Sequence, residues 1–295
     1  MKKQFFSLFK ACVCGVMVLA GAASCEKMNV ESDDDGSKAN VVLRVGSIEQ
    51  VPFPVATRGT IEELCSHFCF HIYDDDGTRV DYVNQKVDDD HFGTASFLLE
   101  EGHYYLVAVG HSGSKNPSFS ANEKVSISGS ELGDTFWCCE DFYVAEDVVN
   151  LDLVLKRIVS MVRFVSTVTP PENLNKILVK YKGSKGSFNG LTGYGSTSTN
   201  QTVEIYPSAE DREYEFYMIP RAEEDEIDVS FKGYYLDDDN VIHSVGGCTI
   251  DGVPLKRNSI TICSGNLFDD TDRSASVVIK VAIDDSWGEN TVINI

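Results

Sequence analysis

Cysteine and histidine alternate along one short stretch, as Cys65, His67, Cys69 and His71. On a β-strand these four side chains would point to one side, and thiolate and imidazole groups are the usual ligands of zinc. Phe68, Phe70 and Ile72 would line the other face, which is typical of a strand buried on both sides, and structural zinc sites usually draw their ligands from separate elements. We therefore expect a core strand here and no metal.

The segment Gly110-His111-Ser112-Gly113-Ser114 approaches the Gly-x-Ser-x-Gly elbow of hydrolases, in which the serine is the nucleophile. Ser114 stands where the second glycine is required, and the following Lys-Asn-Pro does not begin the helix that must come next. We interpret the segment as a turn after a strand. A hydrolase that uses Ser112 remains a testable alternative.

Four runs of aspartate suggest calcium, because carboxylate oxygens are the ligands that calcium prefers. None of them has the alternating acidic positions, the glycine and the distant glutamate of a calcium-binding loop. Aspartate, asparagine and glycine also tolerate the backbone angles of tight turns, so the runs are interpreted as turn residues. They occupy positions 33–35, 74–76, 88–90 and 237–239.

Aromatic side chains could stack sugars on a protein surface, and the chain has Trp137, Trp287 and twelve tyrosines. Aromatic residues of β-sandwiches pack more often in the core or along a strand face. Glycan binding is therefore kept as an alternative. No catalytic residues and no cofactor are expected from these motifs.

The first 25 residues have the layout of an export signal. A basic start at Lys2 and Lys3 precedes an apolar run at 11–20, and small residues at 21–24 lead directly to Cys25. This stretch is too short and wrongly flanked for a transmembrane span. A cysteine after small residues indicates a bacterial lipoprotein signal, in which the thiol is acylated. Ala22 stands where leucine is usual, so ordinary cleavage beside an incidental cysteine is the alternative.

Charge and composition exclude several partners. The formal charge is −21, and loss of Lys2, Lys3 and Lys10 with the signal takes it to −24, which disfavours nucleic acid and anionic membrane surfaces. Residues 1–24 are interpreted as the signal peptide and residues 25–39 as an acidic tether, which is too polar to form a core. About 260 residues remain, and at roughly 100–150 per domain they suggest two domains.

Six cysteines remain after the signal and Cys25 are set aside. An even number in an exported protein permits disulfides, but a chain this long and apolar does not need them, so mostly buried free thiols are expected. Cys138 and Cys139 should point to opposite faces of one strand. The six are Cys65, Cys69, Cys138, Cys139, Cys248 and Cys263.

Hydrophobic periodicity is two almost everywhere, which predicts an all-β chain. We expect one sandwich domain at 40–156 and a second at 157–295. The long apolar run 151–164, with a basic pair in its middle, is interpreted as the last strand of the first domain running nearly straight into the first strand of the second. Similar segments at 70–80 and 233–242 favour a duplication. The predicted strands are 41–46, 68–73, 79–84, 93–99, 103–110, 124–128, 142–145 and 149–155, then 176–181, 202–206, 214–219, 227–235, 241–245, 259–263 and 276–283, with a helical turn at 60–64 and a long loop at 183–200.

Five segments, in this order behind the export signal, resemble the minor fimbrial subunit (FimB-type) relatives of the Bacteroidetes fimbrillins. The resemblance implies two tandem transthyretin-like Greek-key β-sandwich domains and a role in building or anchoring surface fimbriae, the type V pili. The Cys138-Cys139 pair departs from the aromatic run that the family pattern would place after Trp137. The segments are residues 106–113, 134–137, 155–159, 191–195 and 253–261.

The mechanism implied by this resemblance is strand exchange. An arginine-specific protease removes the first strand of a lipidated precursor, and a neighbouring subunit fills the exposed groove. The matching strand here would carry Val41, Leu43 and Val45 on one face, with the cleavable bond between Arg58 and Gly59. An ordinary loop arginine is the alternative, and anchor subunits of the family keep their lipid uncut. Residues 291–295 could be donated to a neighbour or pair internally.

The sequence therefore predicts a non-enzymatic fimbrial subunit at the outer membrane, with an anchor or minor accessory role ahead of a shaft role. The expected partners are other fimbrial subunits, the outer membrane through a lipid on Cys25, and host or bacterial surface ligands. The alternative from a different class is a surface glycan-binding lipoprotein of a nutrient-uptake system.

Overall fold

The computed structural model describes residues 39–49, 61–128, 132–208, 210–268 and 280–284, the last of these as backbone, and all of them belong to one compact unit. The predicted all-β fold is confirmed. The elements are β1 (Val41–Glu49), α1 (Ile61–Leu64), β2 (His67–Tyr73), β3 (Arg79–Lys86), β4 (Thr94–Phe97), β5 (Gly102–His111), β6 (Ser118–Ala121), β7 (Lys124–Ser126), β8 (Thr135–Val144), β9 (Val149–Arg157), β10 (Ser160–Ser166), β11 (Lys176–Gly183), β12 (Ser187–Phe188), β13 (Thr199–Ile205), β14 (Glu213–Met218), β15 (Asp225–Leu236), β16 (Ile242–Leu255), β17 (Ile260–Gly265) and β18 (Lys280–Asp284).

The first sandwich is made from one seven-stranded sheet in the order β3-β2-β5-β8-β9-β1-β4. Strands β8 and β9 pair only at Phe136–Arg157 and Trp137–Lys156, so the sheet has a narrow connection there. This connection divides the sheet into two sections, β3-β2-β5-β8 and β9-β1-β4. Side chains from both sections share one core, so β2, β5 and β8 face β1, β4 and β9. This core includes Val41, Leu43, Phe68, Phe70, Ile72, Phe97, Leu106, Phe136, Cys138, Leu153 and Leu155.

The second sandwich has two separate four-stranded sheets, in the orders β14-β10-β17-β18 and β13-β11-β15-β16. Alternation along the strands places apolar residues between the sheets, as the buried and exposed positions of β15 illustrate. This core includes Val162, Phe164, Ile177, Val179, Tyr214, Phe216, Ile227, Val229, Phe231, Ile250 and Cys263.

The two sandwiches repeat one strand topology. In the first, β1 lies between β9, parallel to it, and β4, antiparallel to it; in the second, β10 lies between β17 and β14 with the same directions. The order β3-β2-β5-β8 likewise matches β13-β11-β15-β16. The similar segments at 70–80 and 233–242 do not follow this repeat of the topology. They form the β2–β3 and β15–β16 hairpins, which occupy different positions in the two sandwiches. They repeat a turn and are no evidence of the duplication.

A third cluster joins the two halves. The small sheet β12-β7-β6 combines strands from both sides of the predicted boundary and covers the outer face of β2 and β5. The predicted long loop at 183–200 contributes β12 to this sheet. The domain boundary itself remains a prediction. Members of the cluster include Tyr73, Val107, Val109, Val125, Ile127, Ile158, Val159, Met161, Phe188, Ile219 and Ile260.

The cysteine predictions agree with the structure where it describes them. All six are free, and Cys138 lies in the first core while Cys139 packs against the third cluster, on the opposite face of β8. The helical turn is also confirmed as α1. In the described part of the chain, no helix has the length and apolar character that a membrane crossing requires.

Candidate assembly site at the first strand

The three apolar residues predicted to fill a groove lie inside the first sandwich. Val41, Leu43 and Val45 are buried and belong to the first core, where β1 lies between β9 and β4. They share one face of β1 because alternate residues of a strand point to the same side. The strand is thus held by its side chains as well as by its backbone.

The backbone of β1 is paired on both edges. It runs parallel to β9 from Val41–Val149 to Glu49–Lys156 and antiparallel to β4 from Val41–Phe97 to Arg44–Thr94. At its start, the Asn40 side-chain amide donates to the Leu99 carbonyl oxygen (2.8 Å) and accepts from the Leu99 N–H (2.9 Å). Without β1, two neighbouring strands would present unpaired N–H and C=O groups to a groove lined by apolar side chains.

A β-bulge at Gly46 lengthens the strand beyond its predicted end. The pairing with β9 shifts between Val45 and Ser47, so that Gly46 is the extra residue and Ile48 packs against the core. A bulge exchanges the faces of the residues that follow it, and this explains why the apolar pattern is interrupted while the strand continues to Glu49.

Ile61 packs against this core beside Gly93. Gly93 has a φ of 82°, and a Cβ placed there would lie 2.6 Å from Cδ1 of Ile61 and 3.8 Å from Cβ of Val45.

Several residues predicted to act in processing and assembly lie outside the described residues. They are the lipidation residue Cys25, the cleavage residues Arg58 and Gly59, and residues 291–295.

An ion pair between a buried arginine and a partly exposed aspartate lies where the two sandwiches meet. Arg157, the last residue of β9, donates through Nε to Asp134 Oδ1 (2.6 Å) and through Nη2 to Asp134 Oδ2 (2.8 Å). Its Nη1 donates to Oδ1 of Asn258 (2.9 Å), in the turn before β17. Asn258 has a φ of 55°, and its backbone N–H donates to the Val159 carbonyl oxygen (2.9 Å). The network links both sandwiches and the two-residue connection between them.

Trp137, close to the same ion pair in sequence, contacts the predicted long loop at 183–200. Its indole N–H donates to the Gly190 carbonyl oxygen at 2.6 Å, and Gly193, with a φ of 68°, fits against its ring. Arg257 lies over the Tyr194 ring at 3.4 Å and donates to the Thr192 carbonyl oxygen at 2.8 Å. Four of the five segments that carry the family resemblance therefore converge at this junction. Their contact could not be predicted from the sequence, because no local pattern links residues so far apart in the chain.

The geometry around Ser112 does not support a hydrolase. Its Oγ lies 3.5 Å from the Asp134 carbonyl oxygen. His111 is fully buried, and its Nδ1 accepts the Gly113 N–H at 3.0 Å. In the described part of the chain, the Ser112 hydroxyl thus donates to a backbone carbonyl oxygen, whereas activation of a serine nucleophile requires a bond to a base.

The cysteine and histidine side chains of β2 are buried, and the whole strand is covered on both faces, as predicted. Burial, reinforced by the nearby charge of Arg79, lowers the pKa of His71 to about 4, and burial raises the pKa of Cys69 to about 12. The His71 ring stacks on Phe119 with centroids 3.7 Å apart. Within the ranges that the structure describes, no group of three or more His, Cys, Asp or Glu side chains is placed to hold a metal ion.

Only some of the aromatic residues considered for glycan binding are exposed in the part of the chain that the structure describes. The Trp137 indole is hydrogen-bonded to the Gly190 carbonyl oxygen at the junction, and Trp287 lies outside the described residues. Tyr82, Tyr143 and Tyr206 are exposed, on β3, on β8 and after β13.

The model of one protein family, described as a family of unknown function (DUF6562), matches residues 117–295. The chain belongs to this family. The matched part of this DUF6562 protein runs from β6 to the end of the chain and contains the whole junction. No curated protein matches its sequence.

Solved structures share the fold of this DUF6562 protein at low sequence identity. One, from Bacteroides thetaiotaomicron, is provisionally described as a polysaccharide-binding protein; it is 11% identical, with a TM-score of 0.53, over 84% of this chain and 96% of that one. Another from the same organism, provisionally described as an adhesin, is 13% identical, with a TM-score of 0.50, over 85% and 98%. The fimbrial anchor protein Mfa2 from Porphyromonas gingivalis is 10% identical over 82% and 96%, and its TM-score of 0.43 is too low to carry weight.

Proposed function

We propose that this protein is a non-enzymatic cell-surface fimbrial subunit that assembles by β-strand exchange or complementation, as an anchor or minor accessory component. The observation that carries the proposal is the position of β1. It is the first strand of the chain that the structure describes, yet it lies in the interior of its sheet with both backbone edges paired.

The groove that β1 fills is lined by the apolar side chains of the first core. Burying a Val or Leu side chain contributes roughly 1.5–3 kcal/mol, so Val41, Leu43 and Val45 together account for much of a domain's net stability. A first sandwich without β1 would need another strand with alternate apolar residues to pair with β9 and β4. A neighbouring subunit that supplies such a strand would be bound by main-chain hydrogen bonds and side-chain pockets.

Two chemical features outside the described residues determine the role in the fimbria. A lipid on Cys25 would hold the protein at the outer membrane, and cleavage after Arg58 would release lipid and β1 together. The uncut form is an anchor whose own β1 fills the groove. The form that begins at Gly59 is a polymerising subunit. The anchor or minor accessory role is the one proposed.

The fold of the solved relatives is in keeping with a surface role, since one is provisionally described as an adhesin and one as a polysaccharide-binding protein. Surface ligands on host or bacterial cells are the proposed targets besides fimbrial subunits. The family resemblance noted for the junction segments supports the fimbrial choice.

The deciding experiment is mass spectrometry of the N-terminus of the mature protein, isolated from cells together with sheared fimbriae. An acylated Cys25 supports the anchor, whereas a chain that begins at Gly59 overturns the anchor and identifies a polymerising subunit. An Arg58→Ala variant should abolish only the second form, and Arg44→Ala is the matched control. Absence from fimbriae, with unchanged fimbrial length in a deletion strain, would reject the fimbrial proposal.

The second candidate is a surface glycan-binding lipoprotein. It is favoured by the fold shared with the structure provisionally described as polysaccharide-binding and by the exposed rings of Tyr82, Tyr143 and Tyr206. Aromatic rings stack on sugar faces. Saturable binding to one polysaccharide, lost in Tyr206→Ala or Tyr82→Ala and retained in a Val148→Ser control, would establish it.

A further inference from the structure

The β15–β16 hairpin extends beyond the sheet that supports it. Pairing between β11 and β15 ends at Lys176–Tyr234, while β15 and β16 remain paired as far as Leu236–Ile242. Residues 235–243 therefore form a two-stranded end, here called the hairpin tip. A two-stranded end has little core of its own, so its exposed side chains are free to meet a partner.

The turn of the hairpin tip closely matches the turn between β2 and β3. Asp237 Oδ1 accepts the Val241 N–H at 2.8 Å, as Asp74 Oδ1 accepts the Thr78 N–H at 2.8 Å. The fourth residue of each turn has a positive φ, 60° at Asn240 and 75° at Gly77. The turn therefore depends on its first aspartate and on the residue that tolerates positive φ. It does not depend on the residues that flank them.

Those flanking residues are where the two hairpins differ. In the β2–β3 hairpin they are Tyr73, which is 1% exposed, with Thr78 and Arg79. In the hairpin tip they are Leu236, Val241 and Ile242, which are 47%, 51% and 66% exposed. Leu236 and Ile242 are directly paired, so their side chains lie next to each other on one face. Aliphatic side chains that neither the turn nor the core requires indicate a contact surface.

The hairpin tip is also held in one shape. His243 Nε2 lies 2.7 Å from Asp237 Oδ2, and the Tyr235 and His243 rings stack with centroids 4.9 Å apart. These contacts fix the face opposite Leu236 and Ile242. A rigid surface loses little conformational entropy on binding.

We propose that the hairpin tip docks against an apolar surface, rimmed by lysine or arginine, on a partner protein. The side chains of Leu236, Val241 and Ile242 would pack on the apolar surface, and the exposed Asp238 and Asp239 would meet the basic rim. A second copy of the chain is a poorer fit, because at −21 two copies repel each other. The inference does not rest on strand exchange, since the tip and β1 belong to different sandwiches.

The test uses the full chain and a defined probe, an amphipathic helical peptide of leucine and lysine, which presents an apolar face with a basic rim. Fluorescence anisotropy should give saturable binding that weakens about tenfold or more in Leu236→Ser/Ile242→Ser. The control Leu98→Ser/Val148→Ser removes side chains that are 56% and 57% exposed elsewhere and should bind as the wild type does. In Asp238→Asn/Asp239→Asn, the affinity for the peptide should depend less on salt concentration than in the wild type.

Three outcomes would overturn the proposal. The first is the lack of saturable binding, and the second is equal weakening in the control and the tip variant, which would indicate general attraction to an acidic protein. The third is sedimentation showing that the wild type self-associates while Leu236→Ser/Ile242→Ser is monomeric. That result would make a second copy the occupant. Circular dichroism of each variant checks that it is folded.

Discussion

Arg157, whose side chain is 1% exposed, and Asp134, whose side chain is 21% exposed, form an ion pair with two hydrogen bonds, 2.6 and 2.8 Å long, at the point where the first sandwich leads into the second. Removing Asp134 takes the carboxylate partner away from the buried Arg157 guanidinium, and breaking a buried pair in this way costs about 3–5 kcal/mol. We therefore expect Asp134→Ala to lower the free energy of unfolding by an amount in this range, measured by urea denaturation. The Lys176→Met change breaks the solvent-exposed pair with Glu204 and should have a much smaller effect, because water and salt screen exposed charges. Equal effects of the two changes would contradict the structural role of the junction pair.

Gly193 tests the contact between the long loop and Trp137. A Cβ at this position would lie 2.9 Å from the indole ring, and the φ of 68° disfavours any side chain. Gly193→Ala should cost about 1–3 kcal/mol and shift the tryptophan fluorescence. Gly102→Ala, where the nearest atom would be 3.6 Å away and φ is not positive, is the control. An unchanged spectrum in Gly193→Ala would show that the loop does not rest on Trp137.

Leu43 tests the energetic weight of β1. It is fully buried, and truncation to alanine leaves a cavity among the groove residues, so Leu43→Ala should cost about 2–5 kcal/mol. Arg44→Ala changes the neighbouring side chain, which faces solvent, and should cost no more than about 0.5 kcal/mol. Denaturation of the full chain measures both. A small effect of Leu43→Ala would mean that β1 contributes little to its sandwich.

Protonation of His71 should reduce stability in mildly acidic solution. Burial lowers its folded pKa to about 4 from an ordinary value of 6.5, so the unfolded chain binds the proton more readily than the folded one. The stabilisation is complete above about pH 6.5 and is lost as the pH falls towards 4. A His71→Gln variant should lose less stability than the wild type between pH 6.5 and 4.5. Parallel pH profiles would assign the acid sensitivity to other groups.

Several elements could be predicted because their side chains alternate or are uniformly apolar. Strand β2 follows from apolar residues on both faces, and β1 follows from Val41, Leu43 and Val45. The first half of β8 was missed because Trp137, Cys138 and Cys139 are consecutive, and apolar residues on both faces erase the period of two. The second half of β16 was missed because glycines and Pro254 resemble turn residues, although β-bulges and edge strands accommodate them.

The contacts that unite the candidate site and the junction could not be predicted, since they join residues far apart in sequence. The Arg157 guanidinium and the Asn258 amide are 101 positions apart. The parallel pairing of β1 with β9 is a contact of the same kind, which no local pattern encodes.

The double pairing of β1 also determines how the first sandwich would respond to tension. A pull on the chain ahead of Val41 acts along the strand axis, and the hydrogen bonds to β9 and β4 lie across that axis. Such a load shears the bonds on both edges together, whereas a force at right angles to a strand would unzip them one at a time. The first sandwich should therefore resist tension along β1 more strongly than tension across it.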